Sequence, residues 1–245
     1  MANWAVATRR KHPGRRICAM KLDFKAAYRR LHLNHDRTGV QSCMQLPEIG
    51  IAALLALRLT FGGAPCPYEW SIISELVCDL ATAILTNVDW ESHELYSPDQ
   101  EKIPSPAFLP DDIPFGEGKE LIVDLQINDH GTHEMYLDDL IGLGIDLPGT
   151  DNIHRSERAP LLAIHTCARP LHPKEPILRK NMASLDKLMA EGGLSEIKNI
   201  LGWTWDFRRH IISLPTNKYV AWSDNLKSII IARKTSEKEL ESTIG

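Results

Sequence analysis

Carboxylates set among apolar residues are the first feature of this sequence that invites chemistry. Asp138 and Asp139 stand side by side in Met135-Tyr136-Leu137-Asp138-Asp139-Leu140-Ile141-Gly142-Leu143-Gly144, flanked by residues of apolar, strand-forming type. Far upstream, Ile17-Cys18-Ala19-Met20-Lys21-Leu22-Asp23 reads as an apolar strand ending in another carboxylate, with Tyr28 a short way on. Carboxylates brought together repel one another, so a cluster either takes up a proton or holds a cation. Magnesium is a hard cation that favours such oxygen ligands and keeps several waters, so a few acids suffice for a site.

Positioning then becomes the question. The pattern around the acid pair predicts strand, turn and strand, with 134–137 going in, the pair at the bend and 140–145 coming out. In an extended chain adjacent residues point to opposite faces, and only a bend lets both acids approach one site. Asp is also a common turn residue, and on local grounds alone a plain acidic turn is the stronger reading of the pair. A further stretch, Leu59-Thr60-Phe61-Gly62-Gly63-Ala64-Pro65, is a turn with paired glycines leading into a long helix. Absence of a Cβ lets backbone approach a ligand closely, and paired glycines equally well make a simple turn.

Taken in order, the strand aspartate, the Phe-Gly...Ala-Pro turn and the Tyr-x-Asp-Asp hairpin resemble the palm motifs of reverse transcriptases from retroviruses and retrotransposons. The resemblance covers roughly residues 17–233 and is carried by Asp23, Phe61 to Pro65 and Tyr136 to Asp139. It implies an α+β fold: an antiparallel palm sheet of the split βαβ kind, helices on one face, and partial fingers. The activity implied is addition of deoxynucleotides to a primer 3′ end on an RNA or DNA template, by phosphoryl transfer assisted by two Mg2+ or Mn2+ ions. Asp23 and Asp138 would bridge the metals, with Asp139 as the third carboxylate. Tyr28 falls where the family places the aromatic that excludes a 2′ hydroxyl, although a buried aromatic fits it as well. Phe61, Gly62 and Gly63 would meet the nucleotide, and Tyr136 would lie beside the primer end. Leu201-Gly202-Trp203 resembles the Leu-Gly-Trp segment near which such polymerases hold the primer strand.

The chain departs from the family in two places. Its glycine turn is shorter than the common Phe-Gly-x-x-x-Ala-Pro form, and a Pro-rich acidic insertion at 88–119 precedes the acid hairpin. Such a long loop is expected to be mobile. The resemblance divides the chain into a basic remnant at 1–16, the palm with partial fingers at 17–233, and the start of a truncated connecting or thumb region at 234–245. Two other readings keep the same acids: a catalytically silent nucleic-acid-binding remnant, and an unrelated metal-dependent hydrolase.

Elsewhere the sequence predicts a short helix at 25–33, strands near 40–46 and 53–60, with 51–57 open between helix and extended chain because Ala and Leu favour helix, and a strand at 121–127. Trp70, Ile73, Val77, Leu80, Ile84 and Leu85 recur at helical steps and predict a core-facing helix over 69–87. Pro160 should kink or divide a helix at 153–167. A helix at 182–190 has Asn181 as its cap and Gly192 as its stop. Segments 201–206 and 210–215 read as a hairpin, 218–233 as a helix, and Ser236 with Glu239 as the capping box of a last one. His32/His35 and His130/His133 have metal-like spacing but are expected to be surface or loop histidines. Trp203, Trp205 and Trp222 are expected to pack rather than to stack on bases.

Composition sets limits on all of this. The chain has 245 residues, 43% of them hydrophobic, and a net charge of -4, which is not the basic excess of a general nucleic-acid binder. Any basic track is local, at Arg9-Arg10-Lys11, Arg15-Arg16 and Arg29-Arg30. Five cysteines without Cys-x-x-Cys spacing suggest neither a disulfide framework nor a zinc knuckle. With no leader and no apolar run of ~18 residues, the expectation is an intracellular protein, cytoplasmic or nuclear, with no membrane span.

Overall fold

A computed structural model of the chain describes residues 1–32, 34, 43–46, 48, 52–55, 57–60, 63, 66–121, 125–168, 182–191 and 193–244. In chain order the elements are α1 (Ala2–Lys11), β1 (Ile17–Asp23), β2 (Cys43–Leu46), β3 (Ala52–Leu55), α2 (Cys66–Thr86), β4 (Thr132–Tyr136) and β5 (Asp139–Ile145). There follow α3 (Asn152–Ala168), α4 (Leu185–Glu191), β6 (Ile197–Ile200), β7 (Trp203–Asp206), β8 (Ile211–Ser213), α5 (Thr216–Ala232) and α6 (Glu237–Ile244). The fold is mixed α+β. Its strands form antiparallel sheets in the orders β1-β5-β4 and β6-β7-β8, with β2 and β3 as a separate pair.

Alternation along β1 and β5 explains why both faces of the first sheet are covered. Cys18, Met20, Leu22 and Leu140 face one core, built with Trp70, Val77, Ala81 and Leu85 of α2 and Ile153, Ala159 and Ile164 of α3. Ile17, Ala19, Ile141, Leu143 and Ile145 face a second core, closed by Trp4 and Ala5 of α1 with Ile200 and Phe207. Helices therefore lie on both faces, not one as expected, and the second face also carries the β6-β7-β8 sheet.

Close packing of α3 on β5 depends on two glycines. A Cβ at Gly144 would collide with the Ser156 side chain, and one at Gly142 would sit 3.1 Å from His133 Cδ2 and 3.3 Å from the Ser156 carbonyl. Pro160 does not divide α3, which runs unbroken from Asn152 to Ala168. Proline has no N–H to give to the carbonyl four residues back, here that of Ser156. His133 fills that place, its Nε2–H donating to the Ser156 carbonyl at 3.1 Å in the buried interface.

Several other expectations change. Of the expected helix at 25–33, the described residues 25–32 hold a single 3-10 turn, Tyr28–Arg30, and residue 33 lies outside them. At 121 and 125–127 the chain is irregular rather than a strand, and 122–124 lie outside the described residues. Expected strand residues 40–42 also lie outside them, as do the cap Asn181 and the stop Gly192. The hairpin predicted at 201–206 and 210–215 is a three-stranded meander in which Leu201 and Gly202 are the turn after an unforeseen β6.

The Pro-rich segment is tied down along its second half. Glu196 and Arg208, both fully buried, make a two-pronged ion pair at 2.7 Å for each prong. Glu196 also accepts the Leu109 N–H at 2.8 Å, and Arg208 donates to the Ile113 carbonyl at 3.0 Å. Phe115 lies between the guanidinium groups of Arg9 and Arg208, at 4.7 and 4.1 Å from its ring centre. A buried pair that also satisfies backbone groups fixes the path of the loop it serves.

Candidate functional site

Three acidic residues lie at one end of the first sheet. Antiparallel register sets Asp23 directly opposite Asp139, and Tyr136 opposite Asp139 on the other side. Directly opposed residues carry their side chains on one face. Asp138 occupies the turn between β4 and β5, and its carbonyl accepts the Phe24 N–H at 2.9 Å, so β1 runs on beside the turn. The acid from the upstream stretch and the acids of the hairpin are thus neighbours in space.

Local sequence explains the turn only in part. It is a two-residue connection whose first residue, Leu137, has φ 55°. Positive φ at that position gives the twist that matches flanking strands, but it strains a leucine by about 1–3 kcal/mol. Trp70 of α2 holds the strained residue, its indole N–H donating to the Leu137 carbonyl at 2.9 Å. The same ring meets Phe24 edge-on at 5.4 Å and Tyr28 at 6.3 Å. One buried tryptophan therefore ties the turn to the chain just beyond Asp23.

Two ammonium groups stand among the acids. Lys187 Nζ lies 2.7 Å from Asp23 Oδ1, and Lys21 Nζ lies 3.3 Å from Asp139 Oδ1. Burial raises the Asp139 pKa; Lys21 opposes that rise, and Asp138 and Asp23 add to it. The hydrogen bond to Asp23 raises the Lys187 pKa against its own desolvation, and the charges of Asp139 and Asp138 act in the same direction. These mutual effects put the three acids and Lys187 in one electrostatic group.

Other expected site residues divide. Tyr28 is 7% exposed, packed against Trp70 near Asp138, and burial with that charge raises its phenol pKa. Tyr136 is open to solvent beside Asp139. Gly63 makes the turn into α2, its carbonyl accepting the Cys66 N–H at 3.0 Å, and a Cβ there would lie 2.6 Å from Cys66 Sγ. Phe61 and Gly62 lie outside the described residues.

Leu201 and Gly202, with φ 50° and 82°, form the turn between β6 and β7, and Trp203 begins β7 partly exposed. Positive φ at both residues marks the tight hairpin turn in which glycine is favoured. A cleft of about 550 Å³ is lined by Lys21, Asp139, Lys198, Asn199, Leu201 and Gly202 among others. Asp139 and this turn therefore border one cleft.

Sequence reading missed three residues that shape the site: Trp70 as the support of the turn, and Lys21 and Lys187 as counter-charges. Lys21 carried a signal, because it stands two positions before Asp23 on an alternating strand and must share its face. Lys187 carried none. His133 is not a surface residue but a buried core histidine, and burial lowers its pKa to about 4 despite its bond to Ser156. The basic N-terminal run is largely consumed in packing: Arg9 donates to the Phe207 carbonyl at 3.1 Å, Lys11 pairs with Asp129 at 2.8 Å, and Arg16 contacts Asp111 and Asp146. Trp205 packs as expected, stacked on Phe207 at 5.9 Å, whereas Trp203 and Trp222 are partly exposed.

Among the described residues no group of three or more His, Cys, Asp or Glu side chains is arranged to hold a metal ion. The donor chemistry still suits a hard divalent ion: three carboxylates at one sheet end, with two ammonium groups drawn in as positive charge. No helix among the described residues is long and apolar enough to cross a membrane. The chain matches no known family model, and no curated protein matches it.

Proposed function

We propose that this chain is a reverse transcriptase domain fragment with a right-hand polymerase palm, which adds deoxynucleotides to a primer 3′ end. One observation carries the reading: Asp23 and Asp139 face each other across β1 and β5, with Asp138 in the adjoining turn. Two Mg2+ or Mn2+ ions bound there would clamp the attacking and leaving oxygens of the phosphoryl transfer. Asp23, Asp138 and Asp139 hold the charge that makes such binding possible. Trp70 positions the turn, and buried Tyr28 forms a wall near Asp138. In this reading Tyr136, opposite Asp139, and the Leu201–Gly202 turn, which shares a cleft with Asp139, would meet the primer end, with a template strand as the second nucleic-acid partner.

Primer extension with Mg2+ or Mn2+ tests the proposal. Incorporation that depends on template and disappears in Asp138→Asn supports it. A second reading, a silent nucleic-acid-binding remnant, is favoured by the ammonium contacts to Asp23 and Asp139. Duplex binding without incorporation under either metal selects that reading.

A further inference from the structure

The fold fixes where the Lys187 backbone stands, while its side chain stays free to move. After β1 the chain pairs with residues ahead of α4: the Lys25 N–H donates to the Met182 carbonyl, the Ser184 N–H donates to the Asp23 carbonyl, each at 2.8 Å, and Phe24 bridges Ala183. These bonds start α4 directly beside Asp23, with Lys187 in its first turn. At the other end Lys198 Nζ donates to the Glu191 and Gly193 carbonyls at 2.9 and 2.8 Å. Cations at a helix C-terminus satisfy its last carbonyls, so α4 is pinned at both ends.

Lys187 itself differs from Lys21. Its side chain is 57% exposed, whereas that of Lys21 is 16% exposed and is held by Glu191 as well as by Asp139. An exposed ammonium on a flexible stem, bonded to one carboxylate, can swing into solvent at small cost. Asp23 is 12% exposed and faces the other acids.

We infer that Lys187 is a resident counter-ion of the acid cluster, which competes with a divalent cation for Asp23 and swings out when that cation enters. Lys21 stays in place. The inference rests on the reading of the acids as metal ligands. It adds that the metal-free cluster is kept from self-repulsion by the chain's own ammonium, so that metal entry is coupled to release of the Lys187 side chain.

Mn2+ binding to the full chain, followed by electron paramagnetic resonance of free Mn2+ at low ionic strength, tests this. Lys187→Met removes the competitor and should tighten Mn2+ binding roughly two- to fivefold, the range expected for an exposed ion pair. Lys187→Arg keeps the charge and should stay near wild type, and Asp138→Asn marks the site by weakening binding. A second measurement follows the side chain directly: Mg2+ should raise the rate at which an amine-acylating reagent labels Lys187, measured by peptide mass spectrometry against the exposed Lys25. Equal Mn2+ affinity in Lys187→Met, or labelling that Mg2+ does not change, overturns the counter-ion role and leaves the proposed function standing. Absence of any Mn2+ binding that depends on Asp138 overturns both.

Discussion

His133 gives the sharpest test of how α3 is held to the sheet. Its imidazole is buried against Gly142 and donates from Nε2 to the Ser156 carbonyl, while Nδ1 has no partner among the described residues. Burial lowers its pKa from 6.5 to about 4, so the folded protein keeps it neutral where the unfolded chain would protonate it. A depressed histidine pKa means that the unfolded state binds more protons between those two values, so stability falls as pH is lowered through that window. The full effect is ~3 kcal/mol, and between about pH 7.5 and about pH 5 it is ~2 kcal/mol. For a chain of this size that loss lowers Tm by ~4–8 °C. Asp139 and Glu157, both raised by burial, act in the opposite sense and stabilise the fold on acidification. The comparison must therefore be between wild type and His133→Gln, which keeps a donor for Ser156 and cannot titrate. Thermal unfolding followed by circular dichroism should show a steeper acid loss in wild type than in the variant by this amount. Parallel pH profiles, or an imidazole that titrates by NMR near its ordinary value, would refute the account.

Other perturbations probe the supports of the site and the loop. Trp70→Phe keeps the ring but leaves the Leu137 carbonyl without the indole bond, and should destabilise by about 1–2 kcal/mol in urea unfolding; an unchanged midpoint would mean the bond is not holding the turn. Gly144→Ala puts a methyl into the Ser156 side chain and should cost about 1–3 kcal/mol by the same assay, with wild-type stability ruling out so close an approach of α3. Glu196→Gln leaves the Arg208 guanidinium buried without its counter-charge, and should cost about 3–5 kcal/mol while opening the segment around Leu109 to limited proteolysis. Resistance equal to wild type would show that the pair does not tie that segment down.

Apolar runs ending in charge made β1, β5 and the acid turn legible in the sequence, because strand-forming composition and turn chemistry are properties of adjacent residues. The long helix over α2 was legible for the same reason at period 3.6. What failed was each rule whose outcome depends on a distant partner. Proline was expected to kink or divide α3, and the helix is not divided: its missing N–H leaves the Ser156 carbonyl unserved, and the residue that serves it comes from β4. Residues 88–119 were read as a loop that nothing in their own composition holds, yet Glu196 and Arg208, which flank β6 and β7, bond their backbone at Leu109 and Ile113. The acid cluster shows both cases at once. Its carboxylates could be placed by counting along strands, but its charge balance could not, since Lys187 reaches Asp23 only through backbone pairing between the end of β1 and residues 182–184. An acid motif therefore fixes where negative charge gathers, while the chemistry it can perform depends on which cation, ammonium or metal, the rest of the fold allows beside it.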